Sequence, residues 1–314
     1  MDLGTRFLPC PESEKFAFAL ARRCLCLFTT TLYASGKYLT VKQFRFFKAL
    51  GSGILLNRRA RHLLEPHHVL LPTISTIQTP LMEVDFNLHK SNSTYFTDLD
   101  VSRAYLSGVL FGPLITGSSG RRCNLIVGAV SCTFKREIKP YKTYETWTKV
   151  ASWDEKWIYM VTHFVQSGEV KADQRVLQSR SSEGAGEQPE TVSRSDRSRV
   201  VFASAVTRFI CKRGRLTVSP AQALEECGLL GVSTSSSALG VSGTRLLPKE
   251  QPNAASEAKP DIDTRTYAKM LEDVESSRAS NLPIVQLREG WDKVHELFRE
   301  DSALLGTYSD MVWR

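Results

Sequence analysis

Apolar residues recur along this chain with two different periods, and the change from one to the other marks its elements. Residues 73–79 alternate polar and apolar, as a half-buried strand does. Across 94–110 the period lengthens: Tyr95, Leu99, Leu106 and Leu110 recur near a helical repeat, with Ser102 and Arg103 between them. Four runs follow, at 125–137, 143–152, 157–166 and 200–212, each rich in Val, Ile, Thr, Tyr, Phe and Trp. Breaks at Lys139-Pro140, at Asp154-Glu155 and over 171–199 separate them. The order is strand, long helix, then four sequential strands, and short connections predict antiparallel neighbours. Such a sheet can bury the apolar face of the helix on its concave side, which makes the class α+β.

The flanks read differently. Residues 1–64 form a basic N-terminal extension. Within 1–62 lie eleven Lys/Arg and three Asp/Glu, so this segment carries the whole formal charge of +8. Thr40 stands where it would cap a helix over 41–50, in which Val41, Phe44 and Phe47 share a face and Lys42, Arg45 and Lys48 repeat at every third position. A basic amphipathic helix suits an anionic membrane surface; alternatively, its apolar face packs on the main domain. The basic segment matches no nucleic-acid motif, so no nucleic-acid partner is expected. Beyond a central domain at 65–230, residues 231–260 read as a Ser-, Ala- and Pro-rich linker. Residues 261–314 read as a C-terminal helical appendage with helices near 265–277 and 291–299. The polar, charged stretch 171–199 is expected to be a disordered insertion.

Composition narrows the setting. With 42% hydrophobic residues the chain can close a substantial core. No run of about 20 apolar residues predicts a membrane-spanning helix, and residues 24–34 lack the form of a signal peptide. Seven scattered cysteines without a C-x-x-C pair indicate a reduced, intracellular protein, cytoplasmic or peripheral at a membrane. Cys24 and Cys26 beside basic residues are either small buried thiols or acylation sites. G-x-S-x-G, H-E-x-x-H, G-x-G-x-x-G and P-loop motifs are missing, which argues against serine-hydrolase, zinc-protease and nucleotide-binding chemistry. His67-His68 and His163 lack metal-ligand partners at useful spacing; no metal site is expected. Trp147, Trp153 and Trp157 are expected to pack in the sheet.

The chemistry is expected at Asp85-x-Asn87-x-His89, between the first strand and the long helix. Capping-competent residues follow, running Lys90-Ser91-Asn92-Ser93-Thr94-Tyr95. A helix N-terminus presents unpaired N–H groups and the positive end of the dipole, suited to the oxyanion that an attacked carbonyl becomes. A carboxylate just outside can attack that carbonyl or activate water. Spacing alone leaves open the alternative that these polar residues only cap the helix.

The run from Asp85 to Arg103 resembles the hotdog-fold thioesterase superfamily, whose signature reads Asp-x-Asn-x-His-x-Asn-Asn-x-x-Tyr followed by an acidic residue near an Arg. It is most similar to a thioesterase-like branch common in fungi, and the resemblance spans roughly residues 70–230. It implies a hotdog fold and an acyl-thioester hydrolase acting on acyl-coenzyme A or an acyl-carrier-protein thioester, in lipid or secondary-metabolite biosynthesis. Asp85 would be nucleophile or general base, and Asn87 and His89 would position water and carboxylate. Amides near Asn92, Ser93, Thr94 and Tyr95 would form the oxyanion site, with no cofactor. A homodimer or larger assembly is implied as well. Lys90 and Ser91 depart from the Met-Asn pair of bacterial and animal members. The superfamily also contains dehydratases and inactive members, so a non-catalytic acyl-binding or membrane-associated scaffold is the alternative.

Overall fold

Both the sheet and the long helix are present in a computed structural model that describes residues 41–117, 122–168, 174–177, 200–230, 264–299 and 303–310. The elements are α1 (Val41–Ala60), β1 (Thr73–Gln78), α2 (Asn92–Thr116), β2 (Asn124–Phe134), β3 (Thr143–Trp153), β4 (Ile158–Gln166), β5 (Gln174–Arg175), β6 (Val201–Arg213), β7 (Leu216–Val218), α3 (Pro220–Glu226), α4 (Thr264–Val285), α5 (Gly290–Glu296), β8 (Ala303–Leu304) and β9 (Gly306–Ser309). The main sheet runs β2-β6-β4-β3-β1-β9, with β7 beside β6. It wraps α2, whose residues 98 to 114 are almost all buried against it. This is a hotdog fold of the α+β class.

One neighbour relation differs from the expectation. β2 pairs with β6, at the far side of the sheet from β3. The eight residues between β2 and β3 form a crossover, tied down where Lys135 and Arg136 N–H donate to Phe202 O and Tyr141 N–H donates to Thr79 O. Three strand spacings are about 14 Å, well within the reach of eight extended residues. Ile138, fully buried in that crossover, accepts the Lys90 N–H and so walls the start of α2.

Parts of both flanks belong to the same unit as the sheet. Residues 46–314 cluster as one compact unit; of the other unit, 1–45, only the first five residues of α1 are described. Thr40, Cys24 and Cys26 therefore lie outside the described residues, as does 231–260. α1 continues well past residue 50, and its packed face is not the expected apolar one. Phe44 and Phe47 are exposed, whereas Ala49, Gly53, Asn57 and Ala60 are buried. Small residues let the two helices cross at backbone contact: a Cβ on Gly53 would lie 2.3 Å from Tyr105 O, and one on Gly108 2.6 Å from Leu50 O.

Asn57 has a second task at this crossing. Pro113 lies inside α2 and has no N–H, so the carbonyl four residues back, Val109 O, loses its helical donor. Asn57 Nδ2 donates to Val109 O at 2.6 Å. Asn57→Leu should therefore leave a buried carbonyl unpaired and destabilise the fold by about 1–3 kcal/mol. Urea denaturation checks this; an unchanged midpoint would mean that the kinked helix satisfies itself.

Within 171–199, residues 174–177 are ordered. β5 pairs with β8, and Leu177, part of the adjacent apolar pair Val176-Leu177, packs in the core. The rest of that segment lies outside the described residues. The C-terminal region is only partly helical: β9 adds a parallel strand to β1, and Tyr105 OH donates to Thr307 O. α4 and α5 cover the face of the sheet turned away from α2. There Asn281 Nδ2 donates to Ala151 O and Lys149 Nζ donates to Leu297 O.

That cover is fastened by three buried residues. Ser204 Oγ lies 2.8 Å from His163 Nδ1 and 2.7 Å from His295 Nδ1. Burial, with Lys149, His295 and Lys135 nearby, holds His163 well below its usual pKa, and burial lowers His295 to about 4. Burial beside His67 lowers His68 to about 4 as well. Below pH 6.5 the unfolded chain takes up protons that these folded rings refuse, so stability should be full above that pH and fall below it. Thermal melts between pH 7 and 5, before carboxylates titrate, should show a declining midpoint whose slope is shallower in His295→Gln. A flat midpoint across this window would contradict the assignment.

Candidate active site

After β1 the chain makes a short 3₁₀ turn, Leu81–Glu83, and then a tight loop closed by an antiparallel bridge between Val84 and Lys90. Asp85 N–H donates to His89 O at 2.9 Å and Leu88 N–H donates to Asp85 O at 3.1 Å. Leu88 adopts the left-handed region with φ 61, an uncommon conformation for a side chain branched at Cγ, so its ring of hydrogen bonds holds it there. Ser91 N–H donates to Glu83 O, and α2 begins at the next residue.

Inside this loop the Asp85 carboxylate is about three-quarters buried, with 24% of its side chain exposed. Its Oδ1 accepts the Asn87 backbone N–H at 2.9 Å and lies 3.4 Å from His89 Nδ1. Oδ2 has no hydrogen-bond partner among the described residues. One oxygen is thus held and the other is open. Asn87 acts through its backbone here, and its side chain is exposed.

At the start of α2, Ser91 is in the N-cap position but its side chain caps no amide. Its hydroxyl lies instead 3.1 Å from Ser93 Oγ. Asn92 and Ser93 are exposed, and their N–H groups belong to the first turn, which has no intrahelical acceptors. Thr94 and Tyr95 are buried. Thr94 Oγ1 donates to Ser91 O, and the Tyr95 ring packs against Phe134 and Phe164. Their side chains are structural, and the Thr94 N–H already donates to Ser91 O at 2.9 Å, which leaves the exposed Asn92 and Ser93 amides as the site's donors.

Directly beneath the loop lies a group that the sequence did not assemble. Lys90 Nζ is 2.5 Å from Glu83 Oε2 and 2.7 Å from Asp98 Oδ2, and Tyr144 OH donates to Asp98 Oδ2 at 2.5 Å. Lys90 is 1% exposed and Asp98 0%. The ammonium also sits 5.6 Å from the centroids of the Tyr95 and Tyr144 rings. A cation between two carboxylates ties the turn before the loop, the residue after it and the first turns of α2 to β3. The sequence signal was Lys90 itself, a charged residue where the resemblance gives Met.

Elsewhere, Glu65, His67 and His68 bring three potential metal-ligand atoms within 4.8 Å of one another, a grouping that residue spacing had set aside. His68 Nδ1 already accepts the Glu65 N–H at 3.0 Å and the ring is hydrogen-bonded to the Leu63 backbone, so His68 is committed within the protein.

Comparison with known proteins bears on the family of the chain. Residues 79–187 match the model of the Thioesterase-like superfamily. Thioesterase poxG of Penicillium oxalicum is 34% identical over 241 residues, covering 73% of this chain and 70% of that protein. Probable thioesterase atnL of Emericella nidulans is 36% identical over 173 residues, covering 50% of this chain and 53% of that protein. Among solved structures, YbaW, a probable thioesterase from Escherichia coli, is 12% identical with a TM-score of 0.35, covering 50% of this chain and 96% of its own. The chain belongs to the thioesterase-like superfamily.

Proposed function

We propose that this chain hydrolyses acyl thioesters at the Asp85 loop. As a member of its superfamily it is an acyl-thioester hydrolase, and the supporting observation is a carboxylate with one oxygen held and one open, next to a helix start whose side chains cap nothing. Asp85 Oδ2 takes a proton from the water that attacks the carbonyl carbon, or attacks that carbon itself to form an acyl–aspartate anhydride that water then hydrolyses. The carbonyl oxygen gains charge facing the Asn92 and Ser93 N–H groups, the carbon–sulfur bond breaks, and a carboxylate and a thiol leave. His89 keeps the carboxylate in its rotamer. Thiols leave at a much lower pKa than alcohols, so the site needs no strong general acid. The thiol carrier is coenzyme A or a carrier protein, in lipid or secondary-metabolite biosynthesis. Purified protein should release acid and thiol in equal amounts from such thioesters. If none of a panel of short, long and aromatic acyl chains is cleaved, the scaffold reading takes its place.

A second copy is part of the proposal. β2 is an eleven-residue edge strand without a charged residue or proline, with Ile126 48% and Val127 43% exposed. Solitary edges are normally blunted by charge. Phe134, at the end of β2, touches Tyr95 in the first turn of α2, so a paired strand from another copy would end beside the site. Light scattering should give a dimer for the wild type, and Val127→Lys should shift it to monomer. A monomeric wild type would remove this part. The exposed Phe44 and Phe47 beside Lys42 and Lys48 also support contact with an anionic membrane. Equal sedimentation with anionic and neutral vesicles would count against that contact.

A further inference from the structure

On the face of the sheet turned away from α2, a cavity of about 510 Å³ opens between the strands and the turn that ends α4. Its position follows from alternation. Thr207 faces α2, where its hydroxyl accepts from Arg103, so Val206 and Arg208 point the other way. The floor is Ala129, Ser131, Val206 and Tyr159, and the wall is Val285 to Arg288. The cavity is therefore separated from Asp85 by the sheet itself.

We propose that this cavity binds a small amphipathic anion, with a carboxylate or phosphate head on the two guanidinium groups and a hydrocarbon body on the apolar floor. Arg208 and Arg288 both line it, no Asp or Glu does, and neither arginine has an ion-pair partner among the described residues. Such groups favour bidentate contact with planar or tetrahedral oxyanions.

Arg208 is held in advance. Its guanidinium lies 4.9 Å from the centroid of the Trp157 ring. That ring in turn crosses Gly128, where a Cβ would come within 2.2 Å of it, and where the β2–β6 register shifts by a bulge. Only glycine admits the ring at that point. Arg288 is placed by a tight reversal: Leu287 adopts φ 61, Leu287 N–H donates to Ile284 O, and Arg288 N–H donates to Pro283 O. A leucine kept in the left-handed region marks a turn whose shape is imposed by its surroundings. Tyr159 OH is already committed to Asp154, so it contributes its ring and not its hydroxyl. The volume lies within the range of small-molecule sites, and Val206, Val285 and Leu287 supply the apolar share such sites have.

This site does not depend on the thioester reading, because it shares no residue with the Asp85 loop. Calorimetric titration of the full chain with sodium decanoate and with decyl phosphate tests it, and the tighter of the two identifies the head group. Binding should weaken at least tenfold in Arg208→Gln and in Arg288→Gln, and should be unchanged in Asp85→Asn. Arg288 is exposed on a turn, so its variant keeps the fold even if the sheet variant does not. Absence of binding by wild-type protein, or affinities in Arg288→Gln within twofold of wild type for both probes, would overturn the proposal.

Discussion

Lys90→Met should destabilise the protein by about 3–5 kcal/mol, the cost of removing one partner from a buried ion network. The residue chosen is the one bacterial and animal relatives carry by resemblance, so size and shape are nearly kept and charge alone is lost. What remains is Glu83 and Asp98, both almost without solvent, facing each other across the space the ammonium filled. Two like charges so placed repel each other once the cation between them is gone. Tyr144 still donates to Asp98, while both carboxylates lose the lysine. Replacing Glu83, Lys90 and Asp98 together by apolar residues should recover much of the loss, because a whole buried network often exchanges for packing at little net cost. Urea unfolding of the single and triple variants measures both. A single variant within 1 kcal/mol of wild type would show that the network is incidental.

The same network explains why part of the site was hidden in the sequence. Asp85, Asn87 and His89 stand out as polar residues ahead of a helix, and the structure does bring them into one loop. Their division of labour is not written in residue types: Asn87 contributes an N–H that any residue but proline would supply. Lys90 looked like a departure from the family pattern because its partners lie seven residues before it and eight after it, one of them on α2. Only the fold makes them neighbours.

Period and composition were sufficient for β1 to β4, β6 and α2, although β3, β4, β6 and α2 are buried almost all round and β2 is largely exposed. They failed where packing uses small or polar residues. α1 was read from Phe44 and Phe47, but the face that packs carries Gly53 and Asn57, one for close approach and one for a hydrogen bond. Adjacency of β2 and β3 was inferred from a short connection, yet eight residues reach across three strands as readily as they form a hairpin loop. The C-terminal strands were missed because β8 and β9 are two and four residues long, too short for alternation to register.

The open oxygen of Asp85 is the group proposed to do the chemistry, and Asp85→Asn isolates it. An amide oxygen at the Oδ1 position still accepts the Asn87 N–H, so the loop and its left-handed Leu88 should persist. What disappears is the basic, nucleophilic oxygen. The loss should fall on turnover, by about a hundredfold or more for a carboxylate acting as base, with little change in KM. The decisive measurement is therefore kcat/KM for acyl-thioester hydrolysis by Asp85→Asn beside wild type, with matched thermal midpoints to show that both are folded. A fall of at least about a hundredfold at equal stability is the predicted result; hydrolysis at the wild-type rate would reduce Asp85 to a residue that shapes the start of a helix.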